Sequence, residues 1–130
     1  MYGFQVRLQD AFDNVIVRTT SALKDKGFGV LTDIDVAKTL KEKIGVEGRP
    51  YRILGACNPP LAHKALSADP DIGLLLPCNV VVREEADKSV TVAFMDPVAV
   101  LQLTDNPAIG EIAHEVRARL EEVMAKLAAR

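Results

Sequence analysis

Tyr51-Arg52-Ile53-Leu54-Gly55-Ala56-Cys57-Asn58-Pro59-Pro60 decides how this chain is organised, because the residue period changes inside it. Tyr51, Ile53, Gly55 and Cys57 fall on one face and Arg52, Leu54 and Ala56 on the other, the two-residue period of a strand. Asn58 then has the character of a helix N-cap, whose side-chain oxygen accepts a first-turn N–H. Pro59 and Pro60 occupy first-turn positions, where a missing N–H costs nothing, and the helix is expected to run from Leu61 to Ala68. A strand therefore leads into a helix with a cysteine at the junction.

Upstream, Phe4, Val6 and Leu8 alternate with Gln5 and Arg7 in a half-buried strand, Tyr2 to Leu8. Asp10 is placed to cap a helix reaching about Lys26, with Phe12, Val15, Ile16, Thr19, Ala22 and Leu23 at helical spacing and Gly27 as its left-handed stop. A strand from Phe28 to Ile34 follows, with Phe28, Val30 and Ile34 expected on one face. Asp35 is placed to cap a short helix with Val36, Leu40 and Ile44 inward and Gly45 at its end.

Downstream, Ile72 to Glu84 is apolar enough for a central strand, but Pro77 cannot donate to a ladder and should mark a bulge or break. The turn Glu85-Ala86-Asp87-Lys88 joins it to Val90–Phe94 as a hairpin, and Asp96-Pro97 closes that arm. A last helix is predicted from about Asn106-Pro107, carrying one stripe of Ile109, Ile112, Ala113, Val116, Leu120, Val123 and Leu127. Strand, helix, several mostly hairpin-linked strands and a long helix make an α+β domain. The sheet is expected to be largely antiparallel, with the helices packed on one face.

The 130 residues fit one domain, 1–130, and 48% hydrophobic residues suffice for an ordinary core. The net charge is only −2 and aromatic residues make up 5%, without any Lys/Arg block. Nucleic acid, which calls for a basic stripe or stacking aromatics, is not an expected partner. The N-terminus lacks the basic start and apolar run of a secretory signal, and no apolar stretch is long enough to cross a bilayer. Two cysteines make no disulfide framework, so free thiols in a reducing cytoplasm are expected and a membrane is not.

Those cysteines, Cys57 and Cys78, are the most chemically pointed residues. Cys57 sits before a helix N-terminus, where unpaired N–H groups and the macrodipole favour a thiolate. Cys78 follows the strand-breaking Pro77. Three readings compete for the pair: small buried residues, a reactive or ligand-binding thiol pair, or a metal site, for which no Cys-x-x-Cys or His-x-x-x-His spacing exists. Asn58 is explained as a cap, whereas a buried Asn79 would need partners from the fold or a ligand. Asp33 and Asp35 would share a strand face about 7 Å apart, against the plainer reading of a solvated Asp33 and a capping Asp35. His63 could approach Cys57, a pairing that can activate a nucleophile, although no triad spacing supports it. His114 falls off the apolar stripe and is expected in solvent. No phosphate-binding glycine loop or nucleophile elbow occurs, and no cofactor is named by these residues.

Gly27-Phe28-Gly29-Val30-Leu31-Thr32, Glu42-Lys43, the Tyr51–Pro59 segment, Ile72-Gly73-Leu74-Leu75-Leu76-Pro77-Cys78-Asn79-Val80 and Asp96-Pro97 together resemble the domain-of-unknown-function 302 family over nearly the whole chain. The resemblance implies a β-α-β(4)-α arrangement, similar in fold to a TATA-binding-protein half, and a homodimer. It implies no function, and likeness to a DNA-binding fold does not imply DNA binding. The expectations for function are therefore three. The first is a small-ligand or thiol/redox role near Cys57, Asn58, Cys78 and Asn79. The second is a non-enzymatic homodimeric interaction module with structural cysteines. The third is a metal site drawing in Asp33 or His63.

Overall fold

The computed structural model describes residues 1–129. β1 (Gly3–Leu8) leads into α1 (Phe12–Asp25), β2 (Gly29–Asp35), α2 (Val36–Ile44), β3 (Tyr51–Cys57) and α3 (Pro59–Ala68). A 3-10 helix, Pro70–Leu75, precedes β4 (Cys78–Glu84), β5 (Val90–Met95), α4 (Pro97–Leu101) and α5 (Pro107–Ala129). The five strands form one sheet in the order β1-β5-β4-β3-β2, every neighbouring pair antiparallel. The α+β class is as expected. Setting aside α2, α3, α4 and the 3-10 helix, the order is β-α-β(4)-α.

The core lies between one face of this sheet and the pair α1 and α5. Leu54, Val80, Val82, Val92 and Phe94 alternate toward that face and are fully buried. Val15 and Leu23 of α1 meet them, as do Leu120, Val123 and Leu127 of α5, on the stripe foreseen from the sequence. Each such side chain contributes about 1.5–3 kcal/mol of transfer free energy. Phe4 and Phe94 stack with ring centroids 5.5 Å apart across the β1–β5 pair.

Several local expectations fail for identifiable reasons. Ala11, not Asp10, is the N-cap of α1; Asp10 accepts instead from the Ala11 N–H, from Asn14 and from Arg18. Only one of the strand connections beyond β2 is a hairpin, β4 to β5, because α2 and α3 fill the others. The Ile72–Glu84 stretch is not one strand: Ile72 lies in the 3-10 helix, and β4 begins only after Pro77, whose bond to Leu76 is cis. The short helix α4, capped by Asp96 through Val98 N–H, was not foreseen.

The inward stripe assigned to α2 is also absent. None of its residues is buried, and Leu40 and Ile44 are 41% and 67% exposed. The cause is topological: α2 follows β2, the edge strand, and contributes no residue to the core that α1 and α5 cover. Within β2 the register slips between Val30 and Thr32, so Leu31 is an extra residue. A bulge of this kind reverses the faces of whatever follows. Val30 opposes Ala56 on the core side, whereas Ile34 opposes Ile53 on the opposite face and is half exposed, separating residues expected together.

Candidate functional site

β3 and β4 bring the two cysteines together. Ala56 is paired with Cys78, and Cys57, the next residue, is paired with Gly29 of β2. At this end of the sheet α3, the 3-10 helix, Pro77 and α5 close around a cavity of about 310 Å³. Cys57 and Cys78 are in its wall, beside Leu61, Leu66, Ile112 and Val116. Among the described residues that line it, none is acidic, basic or histidine.

Asn58 fixes the floor. Its Oδ1 accepts the Leu61 N–H at 3.1 Å, so it caps α3 as expected, and the residue is buried. This cap also determines the chemistry of Cys57. The first two helical residues, Pro59 and Pro60, have no N–H to offer, and the next two N–H groups are used by the Asn58 side chain and carbonyl. The helix start therefore presents no free donor to a thiolate. Burial pushes the Cys57 thiol up, and that of Cys78, 6% exposed and beside Cys57, is pushed up to about 11. The expected thiolate at Cys57 is thus contradicted: desolvation outweighs a helix terminus whose donors are absent or spent.

The other sequence candidates lie elsewhere. Asn79 is exposed opposite Gly55 on the face away from α1 and α5, so burial does not demand a ligand for it. His63 is exposed on α3 and outside the cavity wall. Asp33 accepts from the Arg52 guanidinium, at 2.9 Å from Nε, and this hydrogen bond holds its carboxyl below the usual carboxylate range. Asp35 caps α2 through the Lys38 N–H at 2.9 Å. The metal reading drew on the two cysteines with Asp33 or His63 as further ligands, and neither of those two is in the cavity wall. Among the described residues no group of three or more His, Cys, Asp or Glu side chains could hold a metal ion.

Thr32 and Gly55, and their contact with Pro77, are what sequence reasoning missed. A Cβ on Gly55 would collide with the Thr32 hydroxyl and lie 2.8 Å from Pro77 Cγ, so only glycine lets both side chains close over β3. The signal was available, since a glycine inside a strand often marks a close approach. A second cleft, of about 370 Å³, lies between the start of α1, α2 and the segment before β3. Within it Lys41 pairs with Glu47 at 3.4 Å, and Arg52 pairs with Asp33 outside it. No helix among the described residues is long and apolar enough to cross a membrane.

The geometry defines a small α+β domain with one apolar, thiol-bearing cavity at the end of an antiparallel sheet. The chain belongs to the family described as Domain of unknown function DUF302, whose model matches residues 4–127. It is similar to the crystal structure of an uncharacterized conserved DUF302 protein from Bacillus stearothermophilus. The two share 30% identity over 98% of each chain, with a TM-score of 0.90. No curated protein matches the chain.

Proposed function

We propose that this is a non-catalytic domain that binds a small molecule in the Cys57–Cys78 cavity. The observation that carries this reading is the cavity itself: about 310 Å³, within the usual range for small-ligand sites, with Cys57 only partly buried in its wall. The raised thiol pKa values speak against a nucleophile or a redox couple, because the thiolate is the reactive species. Two free thiols fit a reducing cytoplasm.

The test uses Cys57 as its own reporter. The rate of its alkylation by N-ethylmaleimide is measured with and without a library of neutral and charged fragments. A subset of fragments should slow the reaction, and Gly73→Phe should abolish that protection. Gly73 lines the cavity, and a Cβ there meets only Leu66 Cδ2, at 3.8 Å, so the backbone admits a side chain at this position; the urea midpoint of the variant checks that it folds. If no fragment protects Cys57, the cavity is not a binding site.

A second reading, the homodimer implied by the family resemblance, is favoured by a different observation. Ile34, Ile53, Val81 and Ala93 stand in register across four strands on the sheet face that α1 and α5 leave uncovered. A second copy would cover this row, in keeping with a TATA-binding-protein-like half. Light scattering decides it: a dimer that Ile34→Lys dissociates supports this interface, and a monomer at micromolar concentration removes it.

A further inference from the structure

Resting on the reading that the cavity is a binding site, we infer that its natural occupant is electrically neutral, about the size of a fused two-ring system or a ten-carbon chain, with a single hydrogen-bonding group directed at Thr32. Size follows from volume. An apolar cavity of about 150 Å³ takes one benzene, and this one is roughly twice that.

Charge is excluded by the wall. Among the described lining residues the polar side chains are Thr32, Asn58 and the two cysteines. A carboxylate or ammonium group carried inside would find no opposite charge, and an unpaired charge in apolar surroundings is strongly disfavoured. The thiols do not supply one, since both stay protonated at neutral pH. Arg119 approaches Asn58 across Gly27, but it is engaged with Glu115 at 2.9 Å and with the Lys26 carbonyl. It is not in the wall.

The hydrogen-bonding group is located by elimination among those four side chains. Asn58 spends its carbonyl oxygen on Leu61 and its Nδ2 lies over Gly27, which is not in the wall, and thiols are weak partners. The Thr32 hydroxyl is both donor and acceptor. Thr32 opposes Gly55, two residues before Cys57 on the same side of β3, and both Thr32 and Cys57 line the cavity. Leu31 and Leu66, 68% and 42% exposed, are also in the wall, so an apolar molecule meets apolar surface as it enters.

The experiment compares 1-decanol, decanoate and decylammonium at pH 7.5 by calorimetry and by protection of Cys57 from N-ethylmaleimide. Decanol should bind more than about tenfold tighter than either ion. Thr32→Val, a strand-compatible change at an exposed position, should weaken decanol by about three- to tenfold. Decanoate or decylammonium binding as tightly as decanol overturns the inference and leaves the binding site standing. So does failure of all three while other library fragments protect Cys57. Undiminished decanol affinity in Thr32→Val overturns the assignment to that hydroxyl. Loss of protection by every compound tested removes the binding site itself.

Discussion

Cys78 lies directly opposite Ala56 in the β3–β4 ladder, one residue out of register with Cys57. Opposed residues in such a ladder are about 5 Å apart and successive residues about 3.4 Å, so the two cysteine Cα atoms are about 6 Å apart. That separation alone would allow a disulfide. The pleat opposes it, because Ala56 and Cys57 leave β3 on opposite faces and Cys78 shares the face of Ala56. Both cysteines nonetheless line the one cavity at this end of the sheet.

Alkylation should consequently be unequal. Native protein at pH 7.5 should take one N-ethylmaleimide per chain, at Cys57, with Cys78 reacting only on unfolding or as the pH approaches about 11. Peptide mass spectrometry reads the site. Equal rates at the two positions would contradict the burial of Cys78.

Alkali should destabilise the fold through Cys78. The folded chain holds this proton up to about 11, whereas an unfolded thiol releases it near 9.0. Between those values the unfolded state binds fewer protons, so stability falls as pH rises, by up to about 3 kcal/mol. Urea unfolding at pH 8 to 11 measures the slope. Cys78→Ala, compared at each pH, should flatten it while leaving the contributions of lysines and tyrosines unchanged.

Gly55→Ala should cost about 1–3 kcal/mol, since the new methyl group displaces Thr32 and Pro77 from a packed contact. The urea midpoint should drop without a change in slope. A neutral result would mean that the two side chains relax freely and do not shape the cavity rim.

Asp33→Asn should behave as a surface change. The ion pair with Arg52 is about one-third exposed, and such pairs contribute at most about 1 kcal/mol. The Asp33 carboxyl titrates below its usual range, so its contribution is present above pH 4 and is lost as pH falls through the lowered value. Calorimetry should find ligand binding unaltered, and a loss of binding would draw Asp33 back into the site.

Asn58 and α5 show how much was legible from sequence. A strand period ending at Asn-Pro-Pro has few local solutions, and the cap forms where the residues predict it. The α5 stripe is similarly local, being one continuous period of 3.6 residues. Ile34 and Leu40 show what was not legible. Their patterns are locally sound, yet a bulge at Leu31 and the edge position of β2 decide what they face. Neither circumstance is a property of nearby residues.

The sequence by itself determined the α+β class, the helix caps at Asp35 and Asn58, the break at Pro77 and the two cysteine motifs, because each rests on residues within a few positions of one another. Only the tertiary structure decided that Cys57 and Cys78 meet at one cavity while Asp33, His63 and Asn79 do not, since strand register and helix packing join residues distant in the chain. It also reversed the expected chemistry of Cys57. A helix start that looked favourable to a thiolate has its first donors removed by two prolines and the next two taken by Asn58, and burial then keeps the thiol protonated.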